Sequence, residues 1–312
     1  MARAPSIAIL GAGALGSVIG AFLARAGRAV ELWDINQDHL DAINTNGLVF
    51  DSPDGREVVQ MPALRPEEAT CTPDVIVLLT KINHSQNALE TVQSHIEAGA
   101  HVLTLQNGLG NAARIFTHVP ADRVLYGCTM MPGRFVAPGH VATPGRGGAE
   151  FCAMTDAGQA FAERLALEVP GFSLMLSPGT DQTIWQKAAF NCAMNACSAL
   201  TRARVGELAS AEGMIDLLYA TSAEVVQTAN AYGVPADHTQ VVAQIDHALA
   251  HHLEHKASML QDVEAARPTE IEALCGEVTR LAANTGVDAP INAALAALVR
   301  LSSKLEMQKA AA

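Results

Sequence analysis

Lys187, Asn191 and Asn195 recur every fourth residue within Thr183-Ile-Trp-Gln-Lys-Ala-Ala-Phe-Asn-Cys-Ala-Met-Asn-Ala-Cys-Ser-Ala-Leu200. On a helix this spacing lines one cationic donor and two amides along a narrow stripe, with about 6 Å of rise between successive members. In a segment otherwise made of Ala, Phe, Cys, Met and Leu, such a stripe either faces a cleft or forms an interhelical hydrogen-bond ladder. Asparagine is a poor helix former without a task, which favours the cleft. Farther along, His255-Lys-Ala-Ser-Met-Leu-Gln-Asp262 and Arg267-Pro-Thr-Glu-Ile-Glu272 add the hydroxyl of Ser258 and the carboxylate of Glu270. Taken alone, Thr269 or Glu270 reads as the cap or the negative charge of a helix start, with Pro268 at its first position.

A different chemistry is written near the amino terminus, where Gly11-Ala-Gly13-Ala14-Leu15-Gly16 follows the apolar run Ile7-Ala-Ile-Leu10 and opens a helical segment. The three glycines permit a tight turn, a close backbone approach to a diphosphate and close packing of helix on strand, and the first helical amides face an anion. With Ala14 and Leu15 between them, Gly11, Gly13 and Gly16 form a candidate dinucleotide site. Asp34 lies 23 positions beyond Gly11, at the end of the second apolar run. There a carboxylate accepts from ribose hydroxyls and repels a 2′-phosphate. Asp34 to Ala42 holds no Lys or Arg, so NAD is favoured over NADP. The rival reading makes Asp34 a turn cap and brings Arg28 or Arg56 to the phosphate. Thr80-Lys81 and Gln106-Asn107-Gly108 end two further apolar runs, where open α/β sheets bind ligands. An exposed lysine and a turn-forming Asn-Gly are their plain alternatives.

The elements that must position these groups alternate through the first half. Ile7–Leu10, Val30–Asp34, 75–80 and 102–106 are short β-rich runs separated by helical stretches, as in a doubly wound parallel sheet. Residues 47–61, around Pro53-Asp-Gly55, predict a hairpin or a strand excursion. Residues 124–154, with Pro-Gly pairs at 132, 138 and 144, predict closing antiparallel strands. From about Asp181 the chain is rich in Ala and Leu with few turn signals, and predicts helix throughout. The expected division is an α/β domain of Rossmann type over 1–177 and a helical, catalytic domain over 178–312. A chain of 312 residues, 49% hydrophobic, has room for two cores, and a formal charge of −12 disfavours nucleic acid or an anionic membrane as partner. A small-molecule ligand is expected. The N-terminal apolar run is too short for a signal core, which predicts a cytoplasmic protein. The six cysteines form no CxxC pair and read as reduced core thiols. His247, His251 and His255 repeat every fourth residue but read as a packed or solvated helix face, with no metal expected. The Ala- and Leu-rich half is compatible with a homodimer.

In combination and order, GAGALG, Thr80-Lys81, Gln106-Asn107-Gly108, the K-x3-N-x3-N segment, Ser258-Met-Leu-Gln-Asp262 and Arg267-Pro-Thr-Glu-Ile resemble the ketopantoate reductase (2-dehydropantoate 2-reductase) family over nearly the whole chain. The resemblance implies a Rossmann-type domain followed by an all-helical domain of the 6-phosphogluconate dehydrogenase-like type. It also implies NAD(P)H-dependent reduction of ketopantoate, or a similar branched 2-oxo acid, to the 2-hydroxy acid, a step of pantothenate biosynthesis. By the same resemblance Lys187 is the general acid, and Glu270 hydrogen-bonds the reacting oxygen or a nearby hydroxyl. Asn191, Asn195 and Ser258 hold the substrate's carboxylate and hydroxyl groups, while Asn107 and Lys81 border nicotinamide and substrate. An ammonium beside a developing alkoxide stabilises it and can donate its proton.

The chain departs from the family pattern in three places. NADPH is the usual family cofactor, with a basic residue commonly just after the second strand, where this chain reads Asp34-Ile-Asn-Gln37. Ile82-Asn-His84 stands where a glutamine is common, and Ala257-Ser258 where the family pattern has a pair of serines. Relatives of this architecture include NAD-dependent dehydrogenases of D-2-hydroxy acids, which is the alternative activity. A non-catalytic NAD(P)-sensing protein is the third reading. Lys187, Asn191, Ser258 and Glu270 together argue against it, because a sensor needs no proton donor.

Overall fold

The computed structural model describes residues 3–311. The chain forms two compact units, one of Met1–Gln106 with Asn111–Thr180 and the other of Asn107–Gly110 with Asp181–Ala312. The break thus falls at 180/181, three residues past the sequence-based boundary, and Asn107–Gly110 groups with the second unit.

In the first unit, six strands run parallel in the spatial order Ala63–Leu64, Val30–Trp33, Ile7–Leu10, Val75–Leu78, His101–Thr104 and Val124–Thr129. Numbered along the chain this is 3-2-1-4-5-6, the Rossmann arrangement. Ile7–Leu10 and Val75–Leu78 are buried at every position, which is why both read as unbroken apolar runs rather than alternating ones. The sheet continues through Gly147–Ala153, antiparallel to Val124–Thr129, then Phe172–Leu176 and Leu167–Val169, making nine strands among the described residues.

The expected hairpin forms between Leu48–Ser52 and Gly55–Val59, with Ser52 opposite Gly55 across the turn. The antiparallel patch predicted over 124–154 is only partly so. Val124–Thr129 is the sixth parallel strand, whereas Arg134–Ala137 and His140–Ala142 leave the main sheet and join the hairpin in a separate four-stranded sheet. The Pro-Gly pairs at 132 and 144 flank this departure, and proline's missing N–H ends ladder pairing at such points.

The second unit is helical. Its longest early element, Thr180–Thr201, buries Trp185, Ala188, Ala189, Cys192, Ala193 and Ala196 in one core. It continues through the short Val205–Leu208 and through Met214–Ala231, His238–His251, Ser258–Glu264, Cys275–Thr285 and Pro290–Ala311. Alanine at so many core positions lets neighbouring helices approach closely. The last helix starts at Pro290, and the buried Glu224 carboxylate accepts from the amides of Ile291 and Asn292, both at 2.9 Å. A carboxylate there satisfies orphan donors at the positive end of the helix. No helix among the described residues is long and apolar enough to cross a membrane.

Candidate active site

The glycine turn lies at the carboxyl end of Ile7–Leu10, in the middle of the parallel sheet. Gly11 has φ +101°, and a Cβ there would stand 2.5 Å from the Thr80 amide nitrogen, so only glycine fits against the neighbouring strand end. A Cβ on Gly16 would collide with the Gly11 carbonyl. Gly13 differs, because a Cβ there would meet nothing within 4 Å. The space beside Gly13 is therefore open to a ligand. Gly13 is also the N-cap of helix Ala14–Arg25, and no side chain caps that end. An open backbone cradle at an uncapped helix start fits a diphosphate.

Asp34 follows the second strand, and its Oδ1 accepts from the amides of Ile35 at 2.8 Å and Asn36 at 2.9 Å. The carboxylate is thus oriented by its own turn, as the capping reading requires, at the carboxyl end of the second strand. Arg28 and Arg56 are elsewhere: Arg28 lines a separate cavity with Ser6 and Thr72, and Arg56 pairs with Asp51 at 2.6 Å.

The expectation of no basic residue near Asp34 is corrected by Arg65. The strand register pairs Trp33 with Leu64, which brings the next residues on each strand, Asp34 and Arg65, side by side, and Arg65 Nη1 donates to the Ile35 carbonyl at 3.2 Å. The third strand delivers Arg65, outside the residues that directly follow Asp34 in sequence. The signal was an arginine directly after a short apolar pair, Ala63-Leu64.

Gln106 ties two strand ends together, donating from Nε2 to the Thr80 carbonyl at 2.6 Å and to Ser85 Oγ at 2.8 Å. Lys81 is exposed, at the start of the short turn Ile82–His84.

In the second unit Lys187, half-buried on helix Thr180–Thr201, donates from Nζ to Asn107 Oδ1 at 2.7 Å. Asn107 is held by the segment that follows it. Gly108 has φ +89° and sits so close to Ala273 that a Cβ would come within 2.5 Å of the Ala273 carbonyl. Leu109 N donates to that same carbonyl at 2.8 Å. Ala273 ends the turn Ile271–Ala273, at whose head stands the buried Glu270. The Asn107–Gly110 segment therefore joins the Lys187 amide partner to the Glu270 turn.

Two helical turns beyond Lys187, the buried Asn195 approaches Ser258 Oγ through Nδ2 at 3.5 Å, with Ser258 exposed at the first position of its helix. Asn191 lies between them on the stripe, half-buried. Pro268 does not begin a helix. Arg267 folds back on Asp262, with N to O at 2.8 Å and Nε to Oδ1 at 3.1 Å, and the next α-helix starts only at Cys275. Glu270 makes no side-chain cap to the turn it heads.

The thiols suit no nucleophilic role. Cys192, Cys197 and Cys275 are buried and free, and burial pushes Cys197 up to about 11. Cys71, expected in the core, is exposed.

A chain that pairs a Rossmann sheet and its open glycine cradle with a helical unit carrying a lysine–amide pair and a polar stripe has the parts of an NAD(P)-dependent oxidoreductase acting on a C–OH/C=O couple. Comparison with known proteins gives the family. Residues 7–155 match the model described as ketopantoate reductase PanE/ApbA, and residues 180–303 match ketopantoate reductase PanE/ApbA C terminal. The 2-dehydropantoate 2-reductase of Halobacterium salinarum is 31% identical over 301 residues, covering 96% of this chain and 99% of that one. A solved D-mandelate dehydrogenase, in a ternary structure with NADH and anilino(oxo)acetate, is 28% identical with a TM-score of 0.90, over 96% of this chain and 99% of that one. A 2-dehydropantoate 2-reductase from Geobacter metallireducens is likewise 28% identical, with a TM-score of 0.88 over 95% and 99% of the two chains. The chain belongs to the ketopantoate reductase family.

Proposed function

We propose that the protein reduces ketopantoate or a similar branched 2-oxo acid to the 2-hydroxy acid. The observation that carries this reading is the 2.7 Å contact from Lys187 Nζ to Asn107 Oδ1, which aims a cationic proton donor from a half-buried position. A nicotinamide nucleotide held by Gly11–Gly16 would supply hydride chemistry at the substrate's carbonyl carbon. Lys187 gives its proton to the carbonyl oxygen as negative charge develops there, and takes it back in the oxidation direction. Asn107 orients the ammonium, and Glu270 hydrogen-bonds the reacting oxygen or an adjacent hydroxyl. Asn191, Asn195 and Ser258 hold the substrate's carboxylate and hydroxyl.

Gly11, Gly13, Ala14, Leu15 and Gly16 cradle the diphosphate, Asp34 takes the ribose hydroxyls, and Lys81 borders the nicotinamide. Asp34 favours NAD; Arg65 is the counterweight. A second reading, an NAD-dependent dehydrogenase of a D-2-hydroxy acid, is favoured by the likeness to the D-mandelate dehydrogenase with NADH. Self-association belongs to the same proposal and rests on the exposed Leu298, Leu301 and Leu305 of the last helix; a monomer mass independent of concentration in light scattering removes it.

Steady-state rates with ketopantoate and with aromatic and branched 2-oxo acids, each with NADH and NADPH, test the assignment. Turnover of ketopantoate above the others supports the first reading. Turnover confined to an aromatic 2-oxo acid moves the assignment to the second.

A further inference from the structure

His39 belongs to no glycine fingerprint, yet it is 1% exposed on helix Gln37–Asn46, directly behind the nucleotide turn. Its Nδ1 accepts from the Gly139 amide at 2.8 Å. An amide can only donate, so the ring proton must reside on Nε2, which lies 3.1 Å from Ser17 Oγ. Ser17, fully buried, in turn donates to the Ala12 carbonyl at 2.7 Å. Ala12 is the residue between Gly11 and Gly13. The chain of donors therefore runs in one direction, from the Gly139 turn through His39 and Ser17 into the glycine turn.

The same histidine is also linked to the ribose end of the site. Its amide donates to Asn36 Oδ1 at 3.3 Å, and the Asn36 amide donates to Asp34 Oδ1 at 2.9 Å. Phe135, from the four-stranded sheet, closes over the ring at 4.9 Å between centroids. Gly133, from the same excursion, would bring a Cβ to 3.1 Å from Ala14. The 133–137 stretch thus packs on His39 through Phe135 and against Ala14 through Gly133.

We propose that His39, as a neutral Nε2–H imidazole, is a positioning residue that clamps the Gly11–Gly16 turn in its diphosphate-binding shape and couples it to Asp34. The inference rests on the reading of that turn as a nucleotide site. Burial lowers the His39 pKa, against the pull of Asp34, so the ring stays uncharged where an ordinary histidine begins to protonate. A protonated ring would turn an N–H against the Gly139 N–H and break the chain.

The test is titration of NADH and NADPH by nucleotide fluorescence against wild type, His39→Leu, His39→Gln and Ser17→Ala. His39→Leu fills the space with neither nitrogen and is expected to weaken the preferred nucleotide about tenfold. His39→Gln keeps a donor near the Nε2 position and should recover most of that loss, within about threefold of wild type. Ser17→Ala should weaken binding like His39→Leu, and the double variant Ser17→Ala/His39→Leu should be no worse than the weaker single, because both act through Ala12. A residue that only filled the core would give the opposite order, leucine tighter than glutamine. That order, or wild-type affinity in both His39→Leu and Ser17→Ala, overturns the clamp. Should His39→Leu fail to fold, an unaltered affinity in Ser17→Ala is by itself decisive against it. Wild type that binds neither nucleotide removes the nucleotide reading and the clamp with it, whereas tight wild-type binding with the inverted order removes the clamp alone.

Discussion

The two units build their functional groups from different materials. In the first, the nucleotide turn is made of backbone, with glycines at 11, 13 and 16, an uncapped helix start and the Ala12 carbonyl held by the buried Ser17 hydroxyl. In the second, the groups are side chains: an ammonium on an amide, and an amide beside a hydroxyl. A backbone site depends on what is absent, since an added Cβ spoils it. A side-chain site depends on what is present, and truncation spoils it. Additions should therefore damage the first unit's function and deletions the second's, which gives a direct way to attack the contrast.

The largest effect is expected from Lys187→Ala. It should lower kcat about 1,000-fold while leaving the nucleotide Kd within about twofold, because the proposed proton donor is lost and the glycine turn is untouched. Parallel kinetics and nucleotide titration check it, and normal turnover would strip Lys187 of its role. Next comes Gly13→Ala, whose new methyl meets no protein atom within 4 Å. Thermal melting should be nearly unchanged while nucleotide affinity falls roughly 100-fold, since the diphosphate loses its close approach. Gly11→Ala is the control: its φ of +101° and the nearby Thr80 amide predict a loss of folding stability of about 1–2 kcal/mol or more, visible as a lower Tm. Equal melting behaviour of the two variants would break the distinction between glycines needed by the chain and glycines needed by the ligand.

Smaller is Asn107→Ala, which leaves the lysine in place but removes its acceptor. A fall in kcat of about tenfold is expected, with a smaller change in nucleotide Kd. The smallest shift concerns cofactor choice. Arg65→Ala should lower the NADPH/NADH ratio of kcat/KM about threefold, as removal of a partly exposed cation weakens any hold on a 2′-phosphate. A ratio that stays put would leave Asp34 as the determinant.

The same contrast explains what could be read before the structure was known. The glycine spacing, the apolar runs and the four-residue stripe are local patterns, and each maps onto one turn, one strand or one helix. Lys187's partner lies 80 residues away, and its proximity depends on Gly108 packing against Ala273, which no local pattern encodes. Arg65 meets the Asp34 turn only through the pairing of Leu64 with Trp33. The second sheet was equally hidden, because His140–Ala142 pairs parallel with Leu48–Ser52 across a long stretch of chain. His39 is illegible in sequence for a related reason: an isolated histidine acquires meaning only when its two ring nitrogens have named partners.

The four residues Asn107–Gly110 carry a consequence for how this protein can be taken apart. The chain crosses between its units at 106/107, again at 110/111 and finally at 180/181. A cut at the last crossing looks like the seam between two cassettes, yet residues 181–312 alone would carry Lys187 without the amide that holds it and Ala273 without the strap that pairs with it. Grafting the helical half of one relative onto the sheet of another therefore transplants an incomplete site unless those four residues travel with it. If Lys187 acts as proposed, the heritable unit of its site is discontinuous, and exchange along the linear sequence should be selected against wherever the strap and the turn it grips have diverged.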